Sequence, residues 1–446
     1  MRKILRQSGL RLALKGCWIL ACLLAGVLAV PRASAQTLST VITNNSNFTP
    51  GIVEPHSLVA NIDGTIYFTD GGGIFGLGDS AHRVVAFSPA TGLLSILAGD
   101  FNGRSGTNDG TGGITAKFFN PAGIILARGG LVVADSGNHT IRYVGFDGVV
   151  TNIAGAATQA AFVNDTGSAA RFNTPLGLTV DSAGNIYVAD SKNNVVRKID
   201  TANVVTTYAT GFLQPNDVVA GDNGEIWVAD TLNHQIKAIL ANGTVVLRAG
   251  EGTAGFADAF PDASNALLSS PRGLFFMGAA GLLISDSGNH VVRRLYTNST
   301  TMTYTIETSV GGAGEAGLVN GETTSARLNS PVGITTDTLN GAFLVADSAN
   351  RALRRIQQTA ALPPVTTPRV GYVVLEVDTL GNLTTRLIDV VHSVFNNTVP
   401  IQFVTENGVN TYFTFADTPT NAFIDTVPDP NAGSSQATTF LEGGTT

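Results

Sequence analysis

Past residue 22 the chain has no cysteine. Its two thiols, Cys17 and Cys22, both lie in an amino-terminal segment, so no disulfide can staple the rest of the fold. Charge is sparse too, at 13% of 446 residues, and no basic surplus exists, the formal net charge being −7. Nucleic-acid binding rests on clustered Lys and Arg that neutralise phosphates, so this balance argues against it. The longest apolar run, Cys17 to Val30, has 14 residues, short of the roughly 20 needed to span a bilayer. Neither a Gly-x-Ser-x-Gly elbow nor a phosphate-cradling loop nor a nucleotide fingerprint occurs.

What is present at the start has the form of a secretory leader. Arg2, Lys3, Arg6, Arg11 and Lys15 precede the apolar run, and "PRASA" then offers Ala33 and Ala35 before Gln36. Residues 1–35 are therefore expected to be a signal peptide, leaving no transmembrane anchor after processing. The product would be secreted, periplasmic or on the cell surface. Loss of six basic residues leaves 20 against 33 acidic ones, a formal net charge of −13.

Glycine is abundant, at 51 residues, and an internal repeat organises it. Six β-rich runs end on aspartate, spaced 40 to 65 residues apart: "IYFTD" at Asp70, "LVVAD" at Asp135, "IYVAD" at Asp190, "IWVAD" at Asp230, "LLISD" at Asp286 and "FLVAD" at Asp347. Each follows a proline (Pro55, Pro121, Pro175, Pro215, Pro271, Pro331), a short apolar strand and a turn, and precedes two more strand-like runs. Alternating β-branched and aromatic residues bounded by Gly, Asn and Asp argue strands. One four-stranded sheet cannot bury both its faces alone, so six copies predict an all-β, six-bladed β-propeller over residues 36–360. The sixth copy lacks a fourth strand, while "TLSTVIT" (37–43) has no blade of its own. The N-terminal strand is expected to close the ring.

"DSGNHTIR", "DTLNHQIK" and "DSGNHVVR" resemble NHL repeats. The phrase recurs in blade after blade, whereas a catalytic group is needed once. Asp135, Asn138, His139, Asp190, Asp230, His234, Asp286, His290 and Asp347 are accordingly read as structural turn residues. Imidazoles on separate blade rims splay apart, which disfavours a zinc site.

If repetition is scaffold, function should appear where the copies disagree. Four blades open with Pro-x-Gly, but blade 1 has Glu54, His56 and Ser57, blade 4 has Asn216 and Asp217, and blade 5 contributes Arg272. These six are the candidate ligand-binding residues at the channel mouth. No catalytic residue is assigned. Blade 4 is also reached by a short link, "TGFLQP", among long loops that end in Ala-x-[Phe/Leu]-x-x-Pro.

"PND" in blade 4 and "IYFTD" in blade 1 resemble gluconolactonase-type propellers, whose divalent metal the resemblance would assign to Glu54 and Asn216. The third ligand position carries Arg272, and a cation there repels a metal. Lyases on related propellers require convergent histidines, and His56 alone sits near the channel. No cofactor is expected. The loop "GTNDGTGG" (106–113) has calcium-friendly residues but no terminal acidic ligand.

A linker, 361–369, leads to residues 370–446, read as a small β-sandwich-like module or a truncated one. Its "TYFTFADTPT" resembles a turn of chitobiase carboxy-terminal domains. The expected function is a monomeric interaction scaffold for a protein, peptide or carbohydrate partner. The alternative is a channel-mouth hydrolase or lyase with a degenerate metal site.

Overall fold

In the second strand of every blade the alternation of sides disappears, because both faces are covered. Ile186–Asp190 and Ile226–Asp230 are buried at all five positions, as a strand must be when its sheet is sandwiched between two others. The computed structural model describes residues 36–43, 51–71, 81–110, 115–259, 262–298, 303–337 and 340–358, and four strands of the tail. The chain divides into two compact units, Met1–Thr359 and Ala360–Thr446. The expected leader, residues 1–35, lies outside the described residues.

The first unit is a six-bladed propeller. Blades 1 to 5 are four-stranded antiparallel meanders whose strands pair in chain order. Blade 3 shows the pattern: Pro175–Val180, Ile186–Asp190, Val195–Ile199 and Val205–Ala209. Blade 6 uses Pro331–Asp337, Ala342–Asp347 and Ala352–Gln358, and takes its fourth strand from Gln36–Thr43, along whose far edge the short strand Gly321–Glu322 pairs. The fourth strand runs antiparallel to the third, with Leu38 opposite Ile356 and Thr43 opposite Ala352. Leu38 is buried against Ile356 and Val345. Innermost strands of successive blades adjoin in order, and Pro55–Ala60 lies against Pro331–Asp337, so the circle closes. The N-terminal strand covers the edge of Ala352–Gln358, the kind of unpaired edge that invites aggregation.

Six apolar clusters, one at each interface between neighbouring blades, form the core. Each buried Val, Leu or Ile there contributes about 1.5–3 kcal/mol. Trp227 is 5% exposed and belongs to the cluster between blades 4 and 5.

The first strand of blade 4 begins two residues later than its proline suggests, at Asp217. In blades 3 and 5 the opening proline pairs with the terminal aspartate across a bulge. In blade 4 Asp217 pairs with Ala229 without one. Of the tail, Val370–Val377 pairs with Leu383–Val390 and Thr398–Val404 with Asn410–Ala416. The rest of the expected β-sandwich-like module lies outside the described residues.

Candidate functional site

The aspartate that ends each second strand is buried at 0% exposure in all six blades. A buried carboxylate costs several kcal/mol unless it is paired and its lone pairs are filled, and each of these is. In blade 3, Oδ1 of Asp190 accepts the Asn173 N–H at 2.8 Å, the residue two before the opening proline. Oδ2 accepts Asn193 Nδ2 at 2.8 Å and Arg197 Nη1 at 2.9 Å. Asp135, Asp286 and Asp347 repeat the set with Arg142, Arg293 and Arg354. Blade 1 carries its extra residues between Asp70 and the third strand, yet keeps the pair, because Arg83 stands directly across from Asp70.

The arginines also pin the long loops. Nη2 of Arg197 donates to Val163 O at 2.8 Å and Asn164 Oδ1 at 2.7 Å, and Phe162 lies over its guanidinium at 4.9 Å. Asp258 and Asn320 do for Arg293 and Arg354 what Asn164 does for Arg197. Blade 4, with the short link, carries Lys237 instead, bonded to Asp230 at 2.6 Å and to Gly211 O at 3.0 Å. A fork of five donors suits a loop rich in acceptors, and a point charge suits a link with few.

The residue in the left-handed conformation is not the asparagine of the phrase but the next one: His139, Asn194, His234, His290 and Arg351 have φ of 60°, 60°, 54°, 60° and 54°. The asparagine instead ties Asp135 to the preceding loop, Asn138 Nδ2 donating to Gly106 O and Asp135 Oδ2. The histidines then reach into the following blade. Nδ1 of His139, His234 and His290 accepts the N–H of Thr174, Ser270 and Ser330 at 3.0, 3.0 and 3.1 Å. Asn194 Oδ1 does the same for Gln214 at 2.8 Å. All four recipients precede a proline and have positive φ, a conformation that costs about 1–3 kcal/mol unless its surroundings hold it. A serine or threonine after the aspartate adds a second clasp, Thr231 Oγ1 donating to Pro271 O at 2.7 Å. Sequence reasoning did not see these inter-blade bonds. The spacing gives no fixed signal for them, since the accepting residue lies 20 to 40 positions before the residue that donates to it.

The channel mouth gathers the polar residues that break the repeat. His56, Ser57, Asn216, Asp217 and Arg272 line one cavity with Gly177 and Gly273. Its free volume, ≈ 10 Å³, is close to the least that holds one water molecule. The glycines are there for contact between blades. A Cβ on Gly273 would stand 1.7 Å from Val332 O, and one on Gly177 would stand 2.1 Å from Asp217 Oδ1.

Asp217 accepts the Val218 and Leu274 N–H groups, each at 2.9 Å, and burial pushes its carboxyl up to about 7. Burial, then the Arg272 charge, brings His56 down to about 3. Arg272 is itself lowered by burial and raised by Glu54, a buried carboxylate beside it. The pair does not suit a divalent ion, since a cation already faces Glu54. Among the described residues no cluster of three or more His, Cys, Asp or Glu is arranged to hold a metal. The 106–113 loop is described only to Gly110, where Asp109 pairs with Arg142 at 2.7 Å.

Residues 172–199 and 212–239, in blades 3 and 4, match the NHL repeat family. NHL repeat-containing protein 2 of Bos taurus is 37% identical over 153 residues, covering 28% of this chain and 21% of the bovine one. Protein SUPPRESSOR OF QUENCHING 1, chloroplastic, of Arabidopsis thaliana is 26% identical over 63% of this chain and 29% of its own length. The chain thus spans between 21% and 36% of the lengths of these curated relatives. An auxiliary nutrient binding protein from Bacteroides ovatus shares the fold at 15% identity and a TM-score of 0.53, over 72% of this chain and 76% of that one. The chain carries NHL repeats and folds as a six-bladed propeller.

Proposed function

We propose that the chain is an exported interaction scaffold whose loop face, the side bearing the aspartate turns and the long loops, docks a protein or peptide. One observation carries this reading: the channel mouth admits about a water molecule, whereas the loops around it are apolar and pinned. Phe162, Leu213, Phe256, Leu318 and Val319 are each 40 to 53% exposed on that face. Buried arginines hold the loops of Phe162, Phe256 and Leu318, and Lys237 holds the link of Leu213, so binding costs less ordering entropy. Export is supported by the leader-like pattern of residues 1–35.

The test is a peptide and protein array probed with the chain and with a Leu213→Glu/Leu318→Glu variant. Specific signals lost in the variant support the reading. Signals equal in both oppose it.

A second reading, a hydrolase or lyase at the channel mouth, is favoured by the opposed perturbations of Asp217 and His56 in one cavity. It requires the mouth to open. Turnover of a lactone panel that disappears in Asp217→Asn would support it over the scaffold.

A further inference from the structure

On the side away from the aspartate turns, blades 4 and 5 part to leave a cleft of ≈ 240 Å³. It approaches the smallest ligand pockets, about 300 Å³. Trp227 forms its floor, Phe276 and Tyr304 are half-buried walls, and Asp222, Asn223 and Glu225 stand on one rim.

The repeat is broken here on both sides. Blade 3 has Asp181 at the start of the corresponding turn, where it accepts the Ala183 and Asn185 N–H groups and the Tyr187 hydroxyl, and Tyr208 packs on that tyrosine with ring centroids 4.7 Å apart. Blade 4 has Gly221 instead, and a Cβ there would stand 2.9 Å from Trp227 Nε1. Trp227 takes its aromatic neighbours from blade 5, Phe276 at 6.4 Å and Tyr304 at 5.7 Å. The facing turn, Gly278 to Gly281, carries no side chain beyond a methyl. Gly281 cannot be enlarged, since its Cβ would meet Leu295 O at 2.1 Å.

Aromatic walls with a carboxylate and carboxamide rim match a ring that has C–H faces and hydroxyl edges. Charge selects among such ligands. Arg248, packed on Trp227 at 5.4 Å and Tyr304 at 4.9 Å from outside the cleft lining, bonds Glu225 at 2.9 Å, so one of the two rim carboxylates is already neutralised and a cationic ligand finds little net charge to pair with. Asp222 repels an anion. We propose that this cleft binds a single neutral sugar ring, with Asp222, Asn223 and Glu225 taking its hydroxyls and the aromatic walls its C–H face. The site goes beyond the loop-face reading and does not depend on it.

Trp227 and Trp18 are the two tryptophans, so a Trp18→Phe background isolates the fluorescence of the cleft. Methyl glycosides of neutral hexoses, pentoses and N-acetylhexosamines are titrated into it. At least one should give a saturable change, weakened about tenfold or more by Asp222→Ala/Asn223→Ala and by Ala279→Leu, with the melting temperature unchanged. No saturable response across the panel, an equal response in both variants, or a response to tetramethylammonium in place of the sugars would overturn the proposal. Leu213→Glu/Leu318→Glu should leave sugar binding intact, so failure at either face is read separately.

Discussion

A histidine whose Nδ1 accepts a backbone N–H cannot be protonated there without losing the bond. Replacing His290 by alanine leaves the Ser330 N–H without its acceptor and should cost about 1–3 kcal/mol in melting experiments. Asparagine should rescue it, because Asn194 already performs this duty in blade 3 and tolerates positive φ. Equal losses in His290→Ala and His290→Asn would contradict the clasp. The pH dependence follows from the same bond. Burial holds His139 and His290 below the ordinary imidazole value, so their contribution is fully present above about pH 6.5 and is lost as pH falls through the lowered folded value. A His139→Asn/His290→Asn variant should lose less stability between neutral and mildly acid pH than the parent. At this scale the sequence showed which residues repeat, and why a repeated histidine serves structure. It did not show that the imidazole reaches into the next blade, because that partner is a backbone amide with no side-chain signature.

Strands and loops meet through the guanidinium forks. Arg197→Lys retains the charge beside Asp190 but leaves Val163 O and Asn164 Oδ1 short of donors. It should cost about 1–3 kcal/mol and speed hydrogen exchange in residues 161–166. Unchanged exchange would show that the loop is held by other means. Spacing between blades depends on glycine at the start of the innermost strands, so Gly273→Ala, which drives a methyl into Val332 O, should lower stability by about 3 kcal/mol. Trp227→Ala should cost about 3–5 kcal/mol, since its ring joins two blades. Thermal melting checks both. The strands were legible because the pattern "IYVAD" recurs between turn residues. The late start of blade 4 was not, since Pro215 promises a bulge that Asp217 replaces with direct pairing.

Across the whole propeller, six sheets bury their faces only because the circle is complete, and completion rests on a strand that lies far from its partner in sequence. The missing outer strand after "ALRRIQQ" and the spare "TLSTVIT" were visible as complementary gaps. The convergence of His56, Ser57, Asn216, Asp217 and Arg272 on one cavity could be anticipated from their register, but the closeness of the mouth could not. It depends on how far glycine lets neighbouring backbones approach. The cleft between blades 4 and 5 escaped notice for a related reason: Trp227 reads as core, and the space beside it exists only where Gly221 and the Gly278–Gly281 turn face each other.

The closed circle is tested most directly by a cross-link across the closing pair. Thr37 lies opposite Gln357, and with Cys17 and Cys22 replaced by serine no other thiol remains. In Thr37→Cys/Gln357→Cys, mild oxidation should form an intramolecular disulfide in nearly all molecules and raise the melting temperature, since it closes a loop of most of the propeller and stabilises by about 2–5 kcal/mol. Two free thiols in the folded monomer, or a disulfide formed only between chains, would contradict the closure on which the account depends.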